Sequence, residues 1–276
     1  MKYLLYKILQ GVKMQFFKFT EKPFRNLKNR SALKLGRKQK IPKNVYQTFK
    51  CNSFGKTHFQ EIIKFRELNK DLNFVFFDDD AQDAWMVRNW SDTKIFQIYE
   101  KLNFGPSRAD IFRYCLLYKL GGYYFDISKS CSVPLTSLHD EDSACLITFE
   151  NNDVHIPPDK KIFNILKEPS KYIVQWGFGF ESGHPFLERV IKNIEEDYPL
   201  YKGREFPNPK TAILMFTGPG QFTKSVRQVL KKSSNTNFTQ AGIDFNKKGI
   251  FSMKGSEARY LLSPAYADSK DCIIVK

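Results

Sequence analysis

The sequence predicts one α/β domain with a mostly parallel, Rossmann-like central sheet, preceded by a basic amphipathic helix. Three observations carry that expectation. From Ile41 to Asp126, short runs of extended preference alternate with stretches of helical periodicity, the order that lays strands side by side with crossover helices between them. The stretch from Gly105 to Cys131 joins a helix to a buried strand through two adjacent glycines. The 276 residues, 42% hydrophobic and 15% aromatic, suffice for one domain of ordinary size with a full core.

The helix comes first. Leu4, Leu5, Ile8, Leu9, Val12, Phe16 and Phe19 fall on one stripe of a helical wheel, with Lys2, Lys7, Lys13 and Lys18 off it. Lysines interrupt the run too often for a bilayer span and no small-residue cleavage site follows, so the helix is expected to lie on a membrane rather than cross it. Residues 1–40 hold nine lysines and three arginines against Glu21, a net +11 that leaves +4 of the formal +15 for the rest. That concentration suits anionic lipid, at about 1 kcal/mol per basic residue near the surface. A stripe packed on the domain is the plainer alternative. Nucleic acid is not expected, because the arm carries no recognisable binding module. The division is therefore 1–40 for the arm and 41–276 for the domain.

Ile41 to Phe49 reads as a first strand that begins through Pro42. His58 to Leu68 has helical spacing and Asn73 to Phe77 is a second strand, which completes a β-α-β unit. Asp78-Asp79-Asp80 reads as acidic residues capping the helix that contains Ala84, Trp85 and Val87, rather than as a metal cluster. Ile95 to Leu102 is a further short helix. Next, Ile111, Tyr114, Cys115, Leu117 and Tyr118 recur at three- and four-residue spacing behind Pro106 and Ser107. Gly121 and Gly122 end that helix, and Tyr123-Tyr124-Phe125 runs extended to Asp126. Asp110 and Arg113, three apart, share a helix face, so carboxylate and guanidinium can grip one polar ligand or each other.

Beyond Asp126, Ser132 to Leu138 and Ala144 to Phe149 read as strands, and Asn151 to Ser170 as loop. Tyr172 to Phe180 is an aromatic strand. Pro185 opens a helix carrying Leu187, Val190, Ile191 and Ile194, and a proline in the first turn makes His184 structural rather than a base. Thr217-Gly218-Pro219-Gly220 starts a helix with Phe222, Val226, Val229 and Leu230 on one face; the residues alone favour an ordinary helix start, and the free N–H groups there would also suit a phosphate or a sugar hydroxyl. Gly249 to Met253 and Cys272 to Val275 read as final strands.

The order Asp110-x-x-Arg113, apolar helix, Gly121-Gly122, aromatic strand and Asp126 resembles glycosyltransferase family 32, the DXD-containing sugar-transferases. That family includes fungal initiating mannosyltransferases and the vertebrate α-1,4-galactosyltransferase. Ile41-Pro42-Lys43 is similar to its opening strand, with Tyr46 for a His, Gln47 kept and Phe49 for a Trp. His184-Pro185-Phe186 and Thr217-Gly218-Pro219 are similar to later elements. The likeness implies a GT-A-like fold and retaining transfer of a hexose from a nucleotide sugar to a glycan or glycolipid, as in surface polysaccharide synthesis. It also implies that Asp110, Arg113 and Asp126 are catalytic, with Asp110 and Arg113 gripping the sugar. Phe49, Gln47, Tyr124, Thr217 and Gly218 would complete the donor site. Phe49 reads equally well as core.

The resemblance assigns a divalent metal, Mn²⁺ or Mg²⁺, to Asp126 and Ser128. There the family's second carboxylate is replaced by a hydroxyl, a poorer ligand for a hard cation. Either metal binding is weaker, or Lys129 or Arg227 supplies charge instead. A non-catalytic sugar-binding or scaffold protein of the same fold is the alternative function. No serine nucleophile elbow, H-E-x-x-H or P-loop supports a hydrolase, zinc protease or NTPase. Five scattered cysteines without a C-x-x-C pair favour a reducing compartment. The expected location is the inner face of a membrane in the cytoplasm, rather than the Golgi lumen.

Overall fold

In the computed structural model, residues 11–12, 15–16, 19–152, 156–233, 237–257 and 272–276 are described. The strands are β1 (Asn44–Thr48), β2 (Asn73–Phe77), β3 (Gly122–Phe125), β4 (Ser130–Cys131), β5 (Cys145–Phe149), β6 (Gly177–Phe180), β7 (Thr239–Ile243) and β8 (Gly249–Ile250). The helices are α1 (Lys56–Leu68), α2 (Asp79–Trp90), α3 (Lys94–Glu100), α4 (Gly105–Leu120), α5 (Lys160–Phe163), α6 (Pro185–Tyr201), α7 (Pro209–Phe216) and α8 (Pro219–Lys232).

The main sheet runs β2-β1-β3-β6-β5-β7. β1 pairs in parallel with β2 and β3, and β5 with β7, while β6 is antiparallel to both its neighbours. Only β6 therefore opposes the other five, and the expected mostly parallel α/β sheet is what the chain adopts.

Alternation along the strands divides the core. Tyr46, Tyr124, Phe178 and Phe180 face a cluster with α4, α6 and α8, whereas Val45, Phe74, Phe76, Tyr123 and Phe125 face a second cluster with α1. Gly121 (φ 64°) and Gly122 (φ 107°) make the turn from α4 into β3. A Cβ on Gly121 would lie 2.7 Å from the Pro42 ring, and one on Gly122 would lie 2.7 Å from the Asn44 carbonyl oxygen. Only glycine fits there.

Two expected capping roles hold in the structure. Asp78 caps α2 by accepting from the Ala81 N–H. His184 caps α6, its Nδ1 accepting from the Phe186 N–H at 3.2 Å, and burial lowers its pKa to about 4. Four expected strands run past the observed pairing, Gly249 to Met253 among them, where β8 ends at Ile250. Ser132 to Leu138 holds Pro134 and a single 3₁₀ turn, so pairing stops at Cys131. In the stretch from Tyr172, the sheet strand begins only at Gly177. Cys272 to Val275 makes single bridges, Leu102 with Val275 and Glu205 with Ile273. Helix α7 was not anticipated; Asn208 caps it by accepting from the Thr211 N–H.

Of the amphipathic stripe, Leu4, Leu5, Ile8 and Leu9 lie outside the described residues. Val12, Phe16 and Phe19 are exposed. Residues 21–40 do not hang free. Arg25 bridges Phe54, and Arg30 exchanges both backbone hydrogen bonds with Phe74, covering the outer edge of β2. Leu27 is buried in the α1-side core, and the buried Glu21 accepts the Thr57 N–H in the first turn of α1. Arg30 and Arg37 donate to the carbonyls of Asn69 and His139. The three arginines counted with the arm, Arg25, Arg30 and Arg37, are thus used on the body of the domain.

Candidate active site

The chain leaves β1 for β2 on one side and returns to β3 on the other, so the crevice at the C-terminal ends of β1 and β3 is the topological switch point of the sheet. Thr48 ends β1 and Asp126 follows β3 at that edge. α4 packs on the same face and brings Asp110 and Arg113 to them.

Arg113 is the centre of the cluster. Its Nη2 is 3.3 Å from Asp110 Oδ1 and 3.3 Å from Asp126 Oδ1. Its Nε donates to the Ala109 carbonyl at 3.2 Å and its Nη1 to the Gln175 carbonyl at 2.9 Å. The guanidinium carbon lies 4.3 Å from the centroid of the Tyr124 ring. Burial opposes its charge, but Tyr124 and the Asp126 and Asp110 carboxylates outweigh that and hold its pKa above the usual value.

The two carboxylates have different surroundings. The Asp110 side chain is 9% exposed, and burial pushes it up to about 6 although Arg113 and the Thr217 hydroxyl pull it down. The Asp126 side chain is 34% exposed, so it is the member of the cluster that faces solvent. Tyr124 Oη donates to Asp126 Oδ1 at 3.0 Å and in turn accepts from Thr48 Oγ1 at 2.9 Å.

A buried layer lies behind. Thr217 Oγ1 donates to Asp110 Oδ2 at 2.9 Å, and the Thr217 carbonyl accepts from Tyr114 Oη at 2.9 Å and Gln175 Nε2 at 3.1 Å. Thr48, Tyr114 and Gln175 escaped sequence reading. The only signal was a lone glutamine within an aromatic run.

Several sequence candidates fall elsewhere. Gln47 points to the α1 side of the sheet, where it is fully buried and accepts from Arg66 Nη2 at 3.4 Å. One residue of strand alternation separates it from Thr48, which reaches the cluster. Phe49 is half-buried against Phe54, also on the α1 side. Tyr124 is 1% exposed and supports Arg113, so its ring is not open to a nucleobase. Thr217 is fully buried and holds Asp110, while the Gly218 N–H is spent on the Ile213 carbonyl at 2.9 Å. Arg227 anchors the carbonyls of Ile156, Pro157 and Pro169 rather than the site.

The turn after Asp126 bears on metal binding. The Lys129 N–H donates to the Asp126 carbonyl at 2.8 Å, and the Ser128 carbonyl accepts the Met253 N–H at 2.8 Å. Among the described residues no group of three His, Cys, Asp or Glu side chains converges on a metal position. The turn holds one carboxylate, whose Oδ2 is not used by Arg113 or Tyr124, and the hydroxyl of Ser128, which is buried. That set fits an open site for a hard cation that takes most of its oxygens from phosphate and water, and it does not form a closed cage.

Residues 55–145, which carry Asp110, Arg113, Asp126 and Ser128, match the family model described as glycosyltransferase sugar-binding region containing DXD motif. Over this region the chain is similar to the DXD-containing sugar-transferases. It is 24% identical over 201 residues to the initiation-specific alpha-1,6-mannosyltransferase of Schizosaccharomyces pombe, which covers 69% of this chain and 49% of that protein. It is 27% identical over 202 residues to the mannosyl phosphorylinositol ceramide synthase CSH1 of Saccharomyces cerevisiae, covering 72% and 45%. The chain spans about half the length of these curated relatives. Among solved structures it is similar to one described as PaToxG glycosyltransferase, at 15% identity and a TM-score of 0.49 over 83% of this chain and 80% of that one. Within the matched region this chain reads Asp126-Ile127-Ser128.

Proposed function

We propose that the protein transfers a hexose, with retention of anomeric configuration, from a nucleotide-sugar donor to a glycan or glycolipid acceptor. The observation that carries this reading is Arg113 held between Asp110 and Asp126 at the sheet's switch point, with Asp126 alone partly open to solvent. Mannose is the first donor sugar to test, because the similar fungal proteins are described as mannosyltransferases. A lipid-borne acceptor is suggested in the same way by relatives whose descriptions name inositol phosphoceramide.

The residues divide the work by charge and burial. Asp110, when ionised, accepts hydrogen bonds from sugar hydroxyls, and Arg113 donates to them from a position fixed by Tyr124, Ala109 and Gln175. That arrangement lowers the entropy lost on orienting the sugar. Asp126 and Ser128 would hold a divalent metal. When bound, such an ion offsets charge on the departing diphosphate. Val12, Phe16 and Phe19, exposed beside the basic arm, support peripheral association with the inner face of a membrane.

Ser128 favours one other reading, a sugar-binding protein that has lost transfer. Incubation with a nucleotide-sugar panel and no acceptor separates the two. An enzyme slowly releases free hexose, and Asp110→Asn abolishes the release. Donor binding without any hydrolysis or transfer would leave the binding protein as the answer.

A further inference from the structure

The rim beside Asp126 carries an exposed aromatic ring that the donor site does not use. β4 pairs with β8, and the Ser128 carbonyl accepts from Met253, so residues 249–253 are strapped to the turn that follows Asp126. This strap presents Phe251, which is 65% exposed although twelve of the large side chains around the core are almost fully covered. Lys129 Nζ sits 3.1 Å from the centre of its ring and also donates to the Phe251 carbonyl. The Trp176 ring meets it edge-on at 6.4 Å. With one face under Lys129 and an edge against Trp176, the exposure belongs to the rest of a ring whose position is fixed.

Polar groups lie near Lys129, the cation on that ring. Asp244 and Glu150, at the C-terminal ends of β7 and β5, both lie within electrostatic reach of Lys129. Asn151 hydrogen-bonds Asp244, and Asn152 Nδ2 donates to Glu150 Oε2. The backbone from Asp244 to Lys247 takes four successive positive φ angles, 44°, 54°, 54° and 63°, without a glycine. Non-glycine residues resist that conformation, and such strain collects at ligand-binding rims. A fixed, solvent-facing ring, with carboxylates near the lysine that covers its other face, suits a pyranose, which has an apolar C–H face and a belt of hydroxyls.

We propose that Phe251 is the platform of an acceptor subsite, on which the C–H face of a hexopyranose lies while Glu150, Asp244 and Asn151 take its hydroxyls. The acceptor role rests on the transferase reading above. The probes are methyl α-D-mannopyranoside and methyl β-D-galactopyranoside, followed by saturation-transfer NMR on the full chain. At least one should contact the wild type through its ring C–H protons. Phe251→Ala should weaken that binding about five- to ten-fold, and Phe251→Trp should restore it, as expected for an aromatic contact. Circular dichroism checks that both variants fold.

Binding of neither glycoside to the wild type, or equal binding to Phe251→Ala, overturns the platform. So does a loss of binding to phosphatidylserine vesicles in Phe251→Ala with glycoside binding intact, which would make the ring a lipid contact. Thermal shift of the wild type with GDP-mannose, UDP-glucose and UDP-galactose separates the two failures. No stabilisation by any of them overturns the transferase reading and the acceptor role with it. Stabilisation combined with undiminished glycoside binding in Phe251→Ala overturns the platform alone.

Discussion

Thr217, just before α8, donates a 2.9 Å hydrogen bond to Asp110 of α4, and both residues are buried. This bond is one of the forces that keep Asp110 from rising further above the usual carboxylate range. Thr217→Val should therefore raise the Asp110 pKa and cost about 1–3 kcal/mol, because a buried acceptor loses its donor. Thr217→Ser should restore both. Chemical denaturation and the pH profile of donor binding check the two effects.

The sign of the pH dependence follows from Asp110. Its folded pKa, about 6, lies above its ordinary value of 3.8 because burial disfavours the charge. The folded protein therefore holds more protons than the unfolded chain between those values. The contribution of this group to stability is fully present below the lower value, is lost as pH rises to about 6, and stays constant above it. Thermal melts of Asp110→Asn should lack that decline. Donor binding should run the opposite way in the wild type, strengthening as pH rises through about 6, since the ionised carboxylate is the form that accepts sugar hydroxyls.

Arg113 neutralises two carboxylates, one of them buried. Arg113→Ala should cost about 3–5 kcal/mol, the usual penalty for leaving a buried charge without its partner. Arg113→Ala with Asp110→Asn should recover much of that loss without recovering transfer. Urea denaturation of the single and double variants measures the coupling.

Ser128→Asp adds a carboxylate to the turn after Asp126. With a metal held there, the concentration of Mn²⁺ or Mg²⁺ needed for half-maximal activity should fall several-fold, because a charged ligand replaces a hydroxyl. Unchanged activity of the wild type after exhaustive chelation would remove the metal from the proposal.

Deletion of residues 1–20 should leave a folded protein that no longer sediments with anionic vesicles. Deletion of residues 1–40 should destabilise the fold by about 2 kcal/mol or more, since it uncovers the edge of β2 and removes the buried Leu27. Circular dichroism and vesicle sedimentation on the two truncations give the comparison.

The amino-acid sequence alone determined the features whose causes are local. The three-residue spacing of Asp110 and Arg113 on a helix, the two glycines that turn the chain into β3, the delivery of Asp126 and the capping roles of Asp78 and His184 each depend on residues a few positions apart. Tertiary structure decided what depends on facing and distance. Gln47 and Thr48 are neighbours, yet only Thr48 meets the cluster, because alternation puts them on opposite faces and packing alone settles which face α4 covers. Tyr124 became the support of Arg113 instead of a stacking surface for the same reason. The antiparallel setting of β6, the arrival of Gln175 and Thr217 behind the two charged residues, and the seating of residues 21–40 on β2 and α1 all join segments far apart in the chain. No short-range signal encodes such contacts, since loop closure between distant residues is resolved only when the whole core packs.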